Sequence, residues 1–236
     1  MNTTNINTID INAAEFNIQK GDALLVIDVQ NDFCPGGALA ITKGDSVVPE
    51  LNQWIKFAVA KDAPVLASRD WHPKNHISFK DQGGDWPPHC IQDTPGALFH
   101  PNLELPESAV IISKGVRFDK DQNSAFDDTG LGDQLKKMGI TRLLVGGLAL
   151  DVCVRESVLD AIKEGFSVFL IRNATVPVTK EDGDTALARI KESGGKIIND
   201  PAAAEPEICI KAPEFAEHAR LSDDDDTCDD GRTGKI

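Results

Sequence analysis

Five short apolar runs constrain this chain more than anything else in it. They are residues 23–27, 65–67, 109–112, 143–145 and 168–171. Each run is nearly continuous rather than alternating, which marks a strand buried on both faces of a parallel sheet. Between them the apolar period changes to that of a helix. Val48, Leu51, Ile55 and Val59 line one face, with Asp45 or Ser46 as the cap and Pro49 tolerable in the first turn. Leu131, Leu135 and Met138 form a second helix stopped by Gly139. Val154, Val158, Ala161 and Ile162 form a third, ended by Gly165. Ala186, Leu187 and Ile190 lie in a fourth, followed by Gly194-Gly195 and a short strand, Lys196-Ile197-Ile198, expected at the sheet edge. Alternating strands and helices predict an α/β fold: a doubly wound, mostly parallel sheet of about six strands with helices on both faces.

Ligands of such sheets bind at the carboxyl ends of strands. Asp28, Asp70, Lys114 and the turn of the stretch GGLALDVCVRE (146–156) all follow strand ends directly. Cys153 opens the helix after that turn. A thiol there faces free N–H groups and the positive end of the helix dipole, which favour the thiolate. Asp28 could take its proton and Lys114 could stabilise the thiolate. Taken singly, these would read as a buried structural cysteine, a loop-capping carboxylate and a surface lysine. Their shared position at strand ends favours a cysteine nucleophile with a carboxylate base. No Gly-x-Ser-x-Gly elbow, phosphate-binding loop or dinucleotide fingerprint competes with that reading.

From residue 70 to 106 the chain is irregular, yet it carries four of the five histidines and two of the three tryptophans. A loop of that length and content is expected to be functional. Asp70 and His72, at i and i+2 on extended chain, share a face, and His76 and His89 follow. A set of nitrogen and oxygen ligands with open positions suits a catalytic metal, Zn²⁺ first, with Fe²⁺ or Mn²⁺ as alternatives. The competing reading is a hydrogen-bonded histidine cluster that only stabilises the loop. Phe33, Trp86 and Trp71 could wall an aromatic pocket, although such residues are also ordinary core.

The chain has 236 residues and a formal net charge of −14, which argues against nucleic acid and anionic membranes as partners. No apolar run approaches the roughly 18 residues of a membrane span, and the start of the chain lacks the features of a signal peptide. Five scattered cysteines suggest reduced thiols, and the expected location is the cytoplasm. The expected organisation is a polar extension (1–20), a single α/β domain (21–215) with the metal-binding loop, and an acidic tail (216–236). The tail is expected to be disordered. Nothing in the sequence decides between a monomer and a homo-oligomer.

Read together, LLVIDVQNDFCPGGALA (24–40), SRDWHPKNHISF (68–79), WPPHCIQDTPGALFH (86–100), SKG (113–115) and GGLALDVCV (146–154) resemble the nicotinamidase/pyrazinamidase branch of the isochorismatase-like cysteine hydrolases. The resemblance spans roughly residues 22–200. It implies a catalytic triad of Asp28, Lys114 and Cys153, with metal ligands Asp70, His72 and His89. His76 matches a position that is a ligand in some members only. It also implies a cis peptide between Leu148 and Ala149, an oxyanion hole at the N–H groups of Ala149 and Cys153, and substrate contacts at Phe33, Leu39 and Trp86. The implied reaction is hydrolysis of nicotinamide, and of pyrazinamide as a second substrate, to the acid and ammonia through a Cys153 thioester. A related hydrolase acting on another small amide or carbamoyl substrate is the alternative. The chain departs from the pattern in lacking tyrosine, where Asn123 stands nearest the usual pocket position. It also carries Val152 before the nucleophile and Asp93 at a site often Gly or Asn.

Overall fold

The structure is a computed structural model, and it describes residues 8–10 and 16–199. Among the described residues seven strands form one sheet: β1 (Thr8–Asp10), β2 (Asp22–Ile27), β3 (Val65–Asp70), β4 (Val110–Lys114), β5 (Arg142–Leu148), β6 (Ser167–Val176) and β7 (Lys196–Asn199). Their spatial order is β1-β7-β6-β5-β2-β3-β4, and every neighbouring pair is parallel. The helices are α1 (Val47–Ala60), α2 (Leu131–Lys137), α3 (Arg155–Lys163) and α4 (Lys180–Glu192).

Four of the five continuous apolar runs have the predicted cause; the run at 109–112 does not, because β4 is an edge strand and Val110 and Ile111 on it are exposed. All six residues of β2 are buried, and they alternate between two cores. Leu24 and Val26 pack with Leu51, Trp54 and Ile55 of α1. Ala23, Leu25 and Ile27 pack with Leu135, Val158 and Ile190 on the other face. One face therefore carries α1 and the opposite face carries α2, α3 and α4. From β2 the chain winds outward through β3 to β4, then returns to the other side of β2 as β5 and continues to β6 and β7. The order reverses between β2 and β5. That reversal opens a crevice at their carboxyl ends, the usual place for a ligand in this architecture.

Several expectations need correction. The short strand at 196–198 is not an edge, because β1, from the expected peripheral extension, pairs beyond it. Val59 is 48% exposed in the last turn of α1, and Ala58 takes the core position. Neither Asp45 nor Ser46 caps α1 through its side chain; a 3-10 turn over Gly44–Ser46 leads straight into it. Gly146 and Gly147 do not end β5. They continue it, because β5 runs so close to β2 that a Cβ on Gly147 would lie 2.0 Å from the Ile27 carbonyl oxygen. The sheet slips register between Val145 and Gly147. No described helix is long and apolar enough to cross a membrane. The acidic tail lies outside the described residues.

Candidate active site

Three strand ends converge at the crevice. β3 and β4 pair so that Asp70 stands beside Lys114, their side chains on one face. β2 ends one residue before Asp28, whose backbone turns into the left-handed region at φ 48. That conformation is uncommon outside glycine and tends to persist at functional sites. It is held by a hydrogen bond from Asp28 N–H to the Ser68 carbonyl and by Ser68 Oγ donating to Asp28 Oδ1 at 2.7 Å. After β5 comes a cis peptide bond between Leu148 and Ala149. A π-helical turn, Leu150–Val154, follows and carries Cys153 into α3. Both the Val152 and Val154 N–H groups donate to the Ala149 carbonyl.

Lys114 is the hub. Its ammonium is fully buried, 2.8 Å from Asp28 Oδ2, 2.6 Å from Asp70 Oδ1 and 3.3 Å from Cys153 Sγ. It also reaches the Gln122 carbonyl at 3.4 Å. Burial alone would lower the Lys114 pKa, but the two carboxylates outweigh it and keep the group charged. Asp70 shows the same balance: burial would raise its pKa, and Lys114 holds it below the usual carboxylate range. Asp28 falls the other way. Its burial, aided by Asp70, beats the pull of Lys114, and its pKa is raised. Cys153 is pushed well above an ordinary thiol, by burial first and by Asp28 and Asp70 after it. A helix start favours the thiolate, but here burial and two carboxylates outweigh Lys114 and the helix end. The thiol is therefore neutral at rest and needs a base.

The second half of the site is built on Asp70 Oδ2, which faces His72 Nε2 at 3.6 Å and His89 Nε2 at 3.9 Å. Both separations exceed a hydrogen bond. The other nitrogens are committed. His72 Nδ1 donates to the Gly115 carbonyl at 2.9 Å and His89 Nδ1 to the Pro87 carbonyl at 2.8 Å. Such partners fix the tautomer and leave each Nε2 lone pair free. Two imidazole nitrogens and one carboxylate oxygen thus converge, a donor set that fits a divalent metal. Gly115 is required here: its φ is +66, and a Cβ would lie 2.4 Å from His72 Cε1. His76 is fully buried, its ring stacked on His72 with centroids 4.3 Å apart.

The pocket candidates divide. Phe33 is buried in a 3-10 turn, its ring 5.6 Å from that of His89. Leu39 lies on the same loop, its N–H bonded to the Asp32 carbonyl, and half-buried Trp86 lies on the loop that leads to His89. Among the described residues, neither hydrogen-bonds to the Asp28–Lys114–Cys153 cluster. Trp71 carries the guanidinium of Arg69 over its ring at 3.8 Å.

The model of the isochorismatase domain matches residues 22–200. The chain belongs to the isochorismatase family. A nicotinamidase of Escherichia coli is 40% identical over 72% of this chain and 90% of its own. A solved pyrazinamidase of Pyrococcus horikoshii in complex with zinc is 46% identical, with a TM-score of 0.74 over 76% of this chain and 99% of that one. PnC1 from L. infantum, solved in complex with nicotinate, is 34% identical, with a TM-score of 0.71 over 83% and 98%.

This isochorismatase domain also uses residues that the sequence reading passed over. Gln30 is fully buried and clamps the backbone of Asp70, taking its N–H at 2.8 Å and donating to its carbonyl at 2.8 Å and to that of Ala97 at 2.9 Å. Asp32 accepts the N–H groups of Cys90 and Ala38, tying the His89 loop to the loop after β2. Gln122 joins the Val116 N–H to the Asp127 carbonyl behind Lys114. The available signal was position: Gln30 and Asp32 are polar residues in the loop after a buried strand, and Ser68 is a polar residue inside the next one.

Proposed function

We propose that this chain is a metal-dependent cysteine amidohydrolase that converts nicotinamide to nicotinate and ammonia, with pyrazinamide as a second substrate. The observation that carries this reading is the single buried ammonium of Lys114, in contact with Asp28, Asp70 and Cys153 at once. The named activities of the relatives support the choice of substrate.

Cys153 Sγ attacks the carboxamide carbon while Asp28 takes the thiol proton. A base with a raised pKa suits that transfer. Lys114 stays charged throughout and offsets the sulfur's negative charge. The oxygen that becomes anionic is held by the N–H groups of Ala149 and Cys153, which lowers the barrier electrostatically. Asp28 returns its proton to the departing ammonia, and the C–N bond breaks. A water then gives a proton to Asp28 and attacks the thioester carbonyl; the C–S bond breaks, the thiolate recovers the proton from Asp28, and the acid leaves as nicotinate after giving its own proton to solvent. One difficult amide hydrolysis becomes two easier steps.

Asp70, His72 and His89 would hold the divalent cation, zinc in our reading with Fe²⁺ or Mn²⁺ as alternatives. When bound, that ion supplies a Lewis-acid seat for the ring nitrogen of the substrate. Phe33, Leu39 and Trp86 would wall the ring. The free thiols at Cys34, Cys90 and Cys153 support a reducing, cytoplasmic setting.

The test is ammonia release from nicotinamide by the full chain, with and without chelator. Release that chelator removes and added Zn²⁺, Mn²⁺ or Fe²⁺ restores is expected. Release that ignores the chelator would overturn the metal role. No release with any metal would overturn the substrate and lead to a screen of other small amides and carbamoyl compounds.

A further inference from the structure

Asp151 is a buried acidic residue that the reaction above does not use. It lies in the π-helical turn Leu150–Val154, between Ala149 and Cys153. Among the described residues it forms no ion pair. Its Oδ1 accepts the Val178 N–H at 2.9 Å. A buried polar side chain is costly unless its hydrogen bonds are made, so this contact is one the fold must keep. The anchor at Val178 is firm on both sides. β5 and β6 pair Leu148 with Val176, so the two segments leave the sheet as neighbours. Pro177, whose ring fixes its φ, comes before Val178. Thr179 comes after it and caps α4: its Oγ1 accepts the Asp182 N–H at 3.1 Å, and its carbonyl accepts the Gly183 N–H at 3.0 Å. The turn itself closes on the Ala149 carbonyl, which takes the Val152 and Val154 N–H groups. Lys114 thus holds the sulfur of the turn, and Asp151 holds the turn against the loop after β6.

We propose that Asp151 is a positioning residue for the oxyanion hole. Its tie to Val178 fixes the turn so that the N–H groups of Ala149 and Cys153, two residues to either side of it, aim at one spot. Donors held in place before the reaction stabilise a developing charge without reorganising, and their effect falls quickly when the aim is lost. Asp28 and Asp70 are the carboxylates that press on the Cys153 thiol. Asp151 acts instead through its acceptor oxygen, so a neutral side chain with the same acceptor can replace it. The proposal rests on the cysteine amidohydrolase reading above and deepens its oxyanion step.

The test compares Asp151→Ala and Asp151→Asn with wild type, as metal-loaded full chains whose folds are checked by circular dichroism. In D151A, kcat for ammonia release from nicotinamide is expected to fall by about 100-fold, the scale of loss when a reacting geometry is displaced by about 1 Å. Its KM should stay within about threefold, because the contacts to the ring are untouched. D151N keeps the acceptor and should recover kcat to within about threefold of wild type. Alkylation of Cys153 by iodoacetamide forms no oxyanion, and its rate in D151A should stay within about twofold. Pyridine-3-carbaldehyde, whose adduct with the thiol carries the anionic oxygen, should bind D151A at least about tenfold more weakly in calorimetry. Asp151→Val replaces D151A if the alanine variant does not fold. Unimpaired turnover in D151A, D151N as slow as D151A, or alkylation that falls in step with kcat would overturn the positioning role and leave the function above intact. A wild type that releases no ammonia would overturn that function and this proposal with it.

Discussion

β2 and β5 lie side by side, and charge is balanced differently at their two ends. At the amino ends Asp22 stands in register with Arg142. Arg142 Nε donates to Asp22 Oδ1 at 2.6 Å, its Nη2 donates to Oδ2, and the Gln19 N–H donates to Oδ2 as well. The guanidinium also lies over the rings of Phe16 and Phe169. One carboxylate meets one cation with its hydrogen bonds filled. At the carboxyl ends Asp28 after β2 and Cys153 after β5 meet the Lys114 ammonium of β4, which the Asp70 carboxylate of β3 also holds, so two carboxylates share one cation beside a neutral thiol. The first arrangement ties strands together. The second is under-compensated, and buried charges of that kind commonly cost more stability than they return. The same pair of strands therefore carries a structural end and a reactive end.

The comparison breaks most visibly if Cys153→Ala is harmless. We expect ammonia release to fall by about 10⁴-fold or more, as when a covalent nucleophile is removed, with the thermal midpoint nearly unchanged. Retained turnover would remove the nucleophile from the reactive end. The structural end should respond in the opposite sense. Arg142→Ala leaves the buried Asp22 carboxylate without its cation and is expected to cost about 2–4 kcal/mol in urea unfolding. Its kcat for nicotinamide should stay within about twofold. A stable variant, or one with lost turnover, would erase the distinction between the ends.

Asp28→Asn sharpens it further. Burial raises the Asp28 pKa, so the ionised carboxylate is disfavoured in the folded chain, and that penalty is present at pH values above the folded pKa. Replacing the carboxylate by its neutral isostere should abolish turnover. It should also leave stability unchanged or raise it by about 1 kcal/mol at neutral pH. Strong destabilisation in the same unfolding experiment would mean that the reactive end is structural after all. The smallest expected effect is in the pH profile. Asp28 acts as a base only when ionised, so kcat/KM should fall as pH drops, through a limb above the ordinary carboxylate value of about 4. A limb at or below that value would contradict the raised pKa.

Much of the sheet was legible because burial on both faces leaves a plain mark, as in the run before Asp28. The strand ends were legible for the same reason, and with them Asp28, Asp70, Lys114 and Cys153 as one cluster. What escaped depended on contacts between elements. Gly146 and Gly147 look like strand breakers, yet their role is the close approach of β5 to Ile27 and Ala174. β1 is three residues long in a polar, Asn-rich segment, and only its pairing with β7 makes it a strand. The pKa direction of Cys153 was read from its own helix, whereas burial and carboxylates brought by β2 and β3 decide it. Asp93 departs from the pattern that the resemblance implies; its φ of 61 is the left-handed conformation that Gly and Asn favour and that Asp tolerates. Gln30 and Gln122 lie in motifs or loops whose letters do not say what they touch.

The most direct test of the reactive end is peptide mass spectrometry after one turnover. Metal-loaded enzyme in excess is mixed with nicotinamide, quenched with acid over a series of times and digested. The account predicts a transient nicotinoyl group on Cys153, absent from Cys34 and Cys90 and absent at Cys153 in the Asp28→Asn variant. Nicotinate formed in that turnover with no acyl group on Cys153 at any time, or an acyl group on another cysteine, would contradict it.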